Sequence, residues 1–280
     1  MRWVRRGITT LVGLTALGFA ILYGGSALLM QRDVDAVLPA IRAATDPASI
    51  LEGGRLAAVT GCVRCHGDNG QGRVLDGVPF LGHIVAPSLS RVAAESTDSQ
   101  IARAIRNGVG VDARPLFIMP GHAFNGLSDD DTSRLVGWIR TLPTSAFDVI
   151  GGTTVGVQGR FAMLTNSLPD SVDLTGGQPR HRPADLGRYF AQISCMQCHG
   201  LNRDETTGAG MRSAPALIRA VRAYDVGGLR ALLRSGTGRG GRALTGMTEA
   251  SRAGLDQLSD VEIDAIRGYL AAAGSQPSGK

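Results

Sequence analysis

The sequence predicts an all-α protein in which one N-terminal membrane-spanning helix precedes two tandem helical lobes. Three features of the 280 residues predict it. An uncharged apolar stretch runs from Gly7 to Met30, a set of motifs recurs with its leading part 133 residues downstream, and apolar residues return at helical spacing. No alternating, strand-like run of useful length occurs. With 43% apolar and 19% charged residues, the chain is neither a disordered polar polymer nor a multispan membrane protein. The net charge is +5, and Arg2, Arg5 and Arg6 supply three of those charges. The body has no Lys/Arg run, so nucleic acid is not an expected partner. Seven Phe, two Trp and four Tyr are few large rings for a core, and four cysteines are too few for a dense disulfide scaffold.

The first element is the anchor, residues 1–31. Its uncharged stretch would extend about 36 Å as a helix, enough to cross a hydrocarbon layer about 30 Å thick. A cleaved signal peptide is the alternative, but such peptides have apolar regions of about 7–15 residues ending at a small-x-small site. Ser26 and Ala27 fit that poorly. The arginines before the span, against Arg32 alone just after it, place the N-terminus in the cytoplasm and export the body.

The lobes follow at residues 47–143 and 184–275. Gly54-Arg55-Leu56 leads to Cys62-Val63-Arg64-Cys65-His66-Gly67, as Gly187-Arg188-Tyr189 leads to Cys195-Met196-Gln197-Cys198-His199-Gly200. Ala86-Pro87-Ser88-Leu89 matches Ala214-Pro215-Ala216-Leu217, and Met119 and Met247 each lie 32 residues beyond their proline. Each lobe closes on a helix opened by Leu127-Ser128-Asp129 or Leu258-Ser259-Asp260, a serine cap with an acid three residues on. Leu135, Trp138 and Ile139 share one face of the first closing helix; Ile263, Ile266, Tyr269 and Leu270 share one face of the second. Residues 144–183 between the lobes are rich in Gly, Thr, Ser and Pro, with an apolar patch at Phe161, Met163 and Leu164. They read as an ordered connector lying on the lobes.

All four cysteines fall in two Cys-x-x-Cys-His motifs, the attachment signature of c-type haem. On one short helical segment, cysteines three apart reach the two vinyl groups of one porphyrin, and the next histidine rises beneath the iron. Structural zinc, or a thioredoxin-like redox pair, would also use Cys-x-x-Cys. Neither accounts for a histidine after both pairs.

On these motifs both lobes resemble class I c-type cytochromes, and the whole resembles a membrane-anchored dihaem cytochrome c. The resemblance implies two covalently bound haem c groups, each with its iron, held by Cys62, Cys65 and His66 and by Cys195, Cys198 and His199. It implies that the carbonyls of Pro87 and Pro215 accept the protons of His66 and His199, and that Gly54 meets Trp138 and Gly187 meets Tyr269 where the helices cross. It places the sixth ligand in the loop before the closing helix, hence Met119 and Met247. A thioether there favours Fe(II) and fills the position a peroxide would need. His122 competes with Met119, and Met211 with Met247. Met163 and Met196 read as filler, His83 and His181 as surface side chains.

The expected function is electron transfer by a non-enzymatic carrier or subunit at the inner membrane, single-pass, with its haem domains on the periplasmic side. Its partners would be redox proteins: the chain resembles cytochrome subunits of periplasmic alcohol or aldehyde dehydrogenases and, less closely, the dihaem subunit of cbb3-type oxidases. A dihaem peroxidase is the alternative. It would need an open iron position and a nearby acid or base.

Overall fold

The computed structural model describes residues 2–75, 81–175, 180–207 and 212–275. Helix α1 (Arg2–Gln31) is long and apolar enough to cross a membrane and carries a π-helical turn at Ile21–Gly25. The first half contains α2 (Pro47–Val59), α3 (Cys62–His66), α4 (Leu89–Glu95), α5 (Asp98–Asn107), α6 (Gly121–Phe124) and α7 (Asp129–Thr141). After α8 (Val157–Leu164) the second half contains α9 (Leu186–Phe190), extended by a π turn through Cys195, then α10 (Leu217–Arg222), α11 (Val226–Ser235), α12 (Thr245–Arg252) and α13 (Asp260–Ala273). Among the described residues, strands form only two-stranded antiparallel pairs of two or three residues each.

Local chemistry sets the ends of the principal helices. The Asp46 carboxylate accepts the Ser49 N–H at 2.8 Å, and Pro47 opens α2 with its φ already helical. Ser259 and Glu262 form a reciprocal capping box on α13. At α7, Ser128 caps Asp131 N–H at 3.1 Å, but the Asp131 carboxylate does not reach back. It is claimed by other partners, and the Ser128 N–H donates instead to Tyr189 Oη at 3.2 Å.

In each half the opening helix crosses the closing helix at a glycine. A Cβ on Gly187 would lie 2.1 Å from Ala265 O and 2.8 Å from Tyr269 Cβ. The corresponding contact in the first half belongs to Gly53, whose Cβ would lie 2.0 Å from Arg134 O, whereas a Cβ on Gly54 would lie 3.1 Å from the Trp138 ring. Motif spacing aligns Gly54 with Gly187; packing aligns Gly53. The first half breaks its helix at Thr60 and left-handed Gly61 before the cysteine, whereas the second continues through the π turn, and the crossing glycine shifts by one residue.

One continuous apolar cluster serves both halves, with Leu56, Leu127 and Leu135 from the first and Phe190, Ile193, Leu258, Ile263, Ile266 and Leu270 from the second. Burying each such side chain contributes about 1.5–3 kcal/mol, against about 0.2–1 kcal/mol for an exposed ion pair. The cluster therefore holds the halves together, and polar groups set their register. Arg55 of α2 grips Glu262 of α13 with two hydrogen bonds at 2.8 and 3.0 Å. Fully buried Asp131 accepts from Arg182 at 2.6 and 2.9 Å, from Arg134 at 2.8 Å and from the Tyr189 hydroxyl at 2.6 Å.

The connector lies on the first half and against the end of α1. Thr154–Val155 pairs with Gly82–His83. From α8, Arg160 donates to Ser26 Oγ at 2.8 Å and sits 4.7 Å from the Tyr23 ring centroid. The expected apolar patch is divided: Met163 is buried, Leu164 packs against Gly25, and Phe161 is 62% exposed.

Replacing Asp131 by Asn leaves Arg182 facing a neutral amide in a buried setting and is expected to cost about 3–5 kcal/mol in urea unfolding. Burial pushes the Asp131 carboxyl up, but Arg182, Tyr189 and Arg134 outweigh it and hold the group below its ordinary 3.8. Glu262 is likewise pushed up by burial and held below 4.5 by Arg55 and the Ser259 N–H. Acids depressed in the folded state contribute stability that is present above their unfolded values and lost as pH falls through the folded ones. Stability should therefore decline as pH drops below 4.5 and further below 3.8, and the decline should be shallower in Asp131→Asn. Identical acid limbs would show that Asp131 carries no such linkage.

Candidate functional site

Each Cys-x-x-Cys-His motif occupies one turn of chain directly after an opening helix. In the first half, the left-handed Gly61 turns the chain out of α2, and Cys62–His66 forms the single turn α3. In the second, the π turn ends at Cys195, and the N–H groups of Cys198 and His199 both donate to Cys195 O, at 3.2 and 3.0 Å. All four cysteines are free and half-buried.

The histidines are oriented alike. His66 Nδ1 lies 2.8 Å from Pro87 O, and His199 Nδ1 lies 2.7 Å from Pro215 O. A carbonyl accepts only, so Nδ1 carries the proton and Nε2 keeps its lone pair free for a metal. Each proline segment is also tied to the backbone after its motif: Leu89 N–H donates to Gly70 O at 2.7 Å, and Leu217 N–H to Gly200 O at 2.9 Å.

Burial pushes the Cys62 thiol up, and burial with the neighbouring Cys198 pushes Cys195 up to about 12. Both remain protonated thiols at neutral pH. Burial lowers His66 against the opposing pull of the Pro87 carbonyl, so the ring is held toward the neutral form that ligates iron. Two free thiols and one neutral imidazole with its Nε2 available, on one turn of backbone, fit the donor set of a covalently attached haem.

The two motifs adjoin. Arg64, between the cysteines of the first, places Nη2 3.9 Å from Cys198 Sγ of the second. Gln197, between the cysteines of the second, donates to Thr60 O of the first half at 2.8 Å and to Ile193 O at 2.7 Å. The sequence marks both as variable positions of the motif and carries no sign of this contact, because it arises from docking of the halves.

Met119 and Met247 both pack, half-buried, against the shared apolar cluster, as do Cys62 and Cys195. Their backbones differ. Met119 lies in the loop before α6 and follows Ile118 at φ +76°, whereas Met247 sits in the first turn of α12. Left-handed backbone in a β-branched residue costs about 1–3 kcal/mol and persists only where surroundings hold it. His122, the rival of Met119, is exposed and directs Nε2 to Met196 O of the other half at 3.4 Å. Met211 lies outside the described residues. His83 and His181 are exposed and Met163 is buried.

Sequence comparison bears directly on the first half. Residues 50–143 match the cytochrome c family. The chain is also similar to the fructose dehydrogenase cytochrome subunit of Gluconobacter japonicus, at 26% identity over 264 residues, covering 79% of this chain. It spans about half of that relative, 52% of its length. Residues 50–143 thus match a cytochrome c domain, a match that implies covalently bound haem c with its iron, and the chain is similar to a cytochrome subunit of the dehydrogenase type.

Proposed function

We propose that the protein is a membrane-anchored dihaem cytochrome c that passes electrons from a dehydrogenase partner to a downstream acceptor such as a terminal oxidase. The observation that carries this reading is the repeated geometry of the motifs, with His66 on Pro87 O at 2.8 Å and His199 on Pro215 O at 2.7 Å. The family match covers the first half; the second is assigned on that repetition. The likeness to a fructose dehydrogenase cytochrome subunit supports a dehydrogenase as donor.

The bound haems would supply one-electron redox chemistry. The chain's own residues do the rest. Cys62 and Cys65, and Cys195 and Cys198, would hold the two porphyrins, and His66 and His199, their rings fixed by the proline carbonyls, would offer Nε2 to iron. Met119 and Met247 would supply a thioether to each haem, which would keep each site a carrier rather than a catalyst. Arg64 sets a permanent positive charge between the attachment sites, which favours the reduced state at both. Helix α1, with Arg2, Arg5 and Arg6 at its cytoplasmic end, holds the body on the periplasmic side of the inner membrane.

Haem assay of the purified chain is expected to give two covalent haems, falling to one in Cys62→Ala/Cys65→Ala; a single haem in the parent would overturn the dihaem assignment. Met119→Ala or Met247→Ala should each lower the midpoint potential of one haem and open it to carbon monoxide, and unchanged spectra and potentials in both would remove these ligands. In Arg64→Gln the two potentials should fall together. A shift confined to the first haem would place the charge at one site only.

A further inference from the structure

We propose that residues 170–173 of the connector are a positioning element for Met119, holding the loop that presents its thioether and linking that loop to the membrane end of the chain. The inference rests on the reading of Met119 as a haem ligand.

The loop is gripped on both sides of its strained residue. On the N-terminal side, Ser171 N–H donates to Leu116 O at 2.7 Å, and Asp170 forms an antiparallel bridge with Phe117. Ile118 follows in left-handed backbone at φ +76°, a conformation an isoleucine leaves when nothing restrains it. On the C-terminal side, Gly121 N–H donates to Met119 O at 2.8 Å, and Gly121 itself lies beneath the connector. A Cβ there would lie 2.4 Å from Ser171 O, and one on Gly108 would lie 2.1 Å from the same oxygen. Two glycines thus admit a single connector carbonyl, which wedges between the end of α5 and the start of α6. Asn107 completes the seat, its side chain donating to Asp173 O at 2.8 Å and its carbonyl accepting Asp173 N–H at 3.0 Å.

The same segment meets the chain just beyond α1. Arg32 pairs with Asp170 at 2.5 Å, and Val34 N–H donates to Ala113 O, in the turn ahead of the Met119 loop, at 2.8 Å. Loop, connector and anchor end therefore form one hydrogen-bonded assembly on the first half. Met247, by contrast, is carried in the first turn of α12.

The test uses the full haem-loaded chain and reads the first haem spectroscopically. Met119→Ala serves as reference. Ser171→Pro deletes the N–H donated to Leu116 and is expected to weaken the ferric absorption band of methionine-ligated haem, to lower that haem's potential and to raise its carbon monoxide uptake at least tenfold, with the second haem unchanged. Asp170→Ala should act in the same direction, at least threefold, and decides the matter if Ser171→Pro does not assemble. The proposal is overturned if Met119→Ala exposes the first haem while the connector variants keep the parent's band, potential and carbon monoxide uptake, whether or not they melt earlier. If Met119→Ala itself changes nothing, the ligand assignment has failed instead.

Discussion

The architecture depends on two places where a helix backbone touches another helix with no side chain between them. At Gly53 and Gly187 the carbonyl of the crossing helix occupies the position a Cβ would take. This closeness brings α2 onto α7 and α9 onto α13, and it fixes where the chain emerges after the opening helix. The attachment motifs begin there. Any larger residue at the crossing pushes the helices apart and moves the cysteines, the histidine and its proline carbonyl relative to one another, so the chemistry inherits its geometry from a steric contact one turn or two away.

The second constraint is the union of the halves. Two halves of about 90 residues each would have marginal cores on their own. Here they share one apolar cluster, and the polar groups at its rim are used for alignment: Arg55 with Glu262, and Asp131 with Arg182 and Tyr189. Buried polar contacts contribute little net stability, yet a mispaired arrangement would take the Tyr189 hydroxyl from the buried Asp131 carboxylate. That asymmetry selects one docking of the halves. The docking in turn brings Arg64 beside Cys198 and Gln197 over Thr60.

Much of the helical framework was legible in the sequence, because serine caps, periodic apolar faces and repeated motifs are local signals. The closing helices begin at the serines that the motif marks, and the histidines face the prolines that the resemblance implies. What was not legible arises between distant segments. The choice of Gly53 over Gly54 depends on a helix break whose length the motif spacing hides. Phe161 and Met163 look alike as apolar residues of one patch, and only the packing of α8 separates the exposed from the buried. Ile118 gives no sign of its left-handed backbone, since isoleucine is among the residues least suited to it. The role of Ser171 is equally silent: its value lies in backbone groups that every residue possesses.

The contact between Arg160 and the end of α1 alters how the body relates to the bilayer on the reading that α1 spans it. A guanidinium bound to Ser26 and stacked on Tyr23 fastens α8 to the helix before it leaves the apolar region, and Leu164 against Gly25 closes the joint. The membrane segment is then not a flexible leash but a mast stepped into the first half. On that reading its redox edges would stay at one height and one bearing above the lipid, within reach of proteins seated at that height.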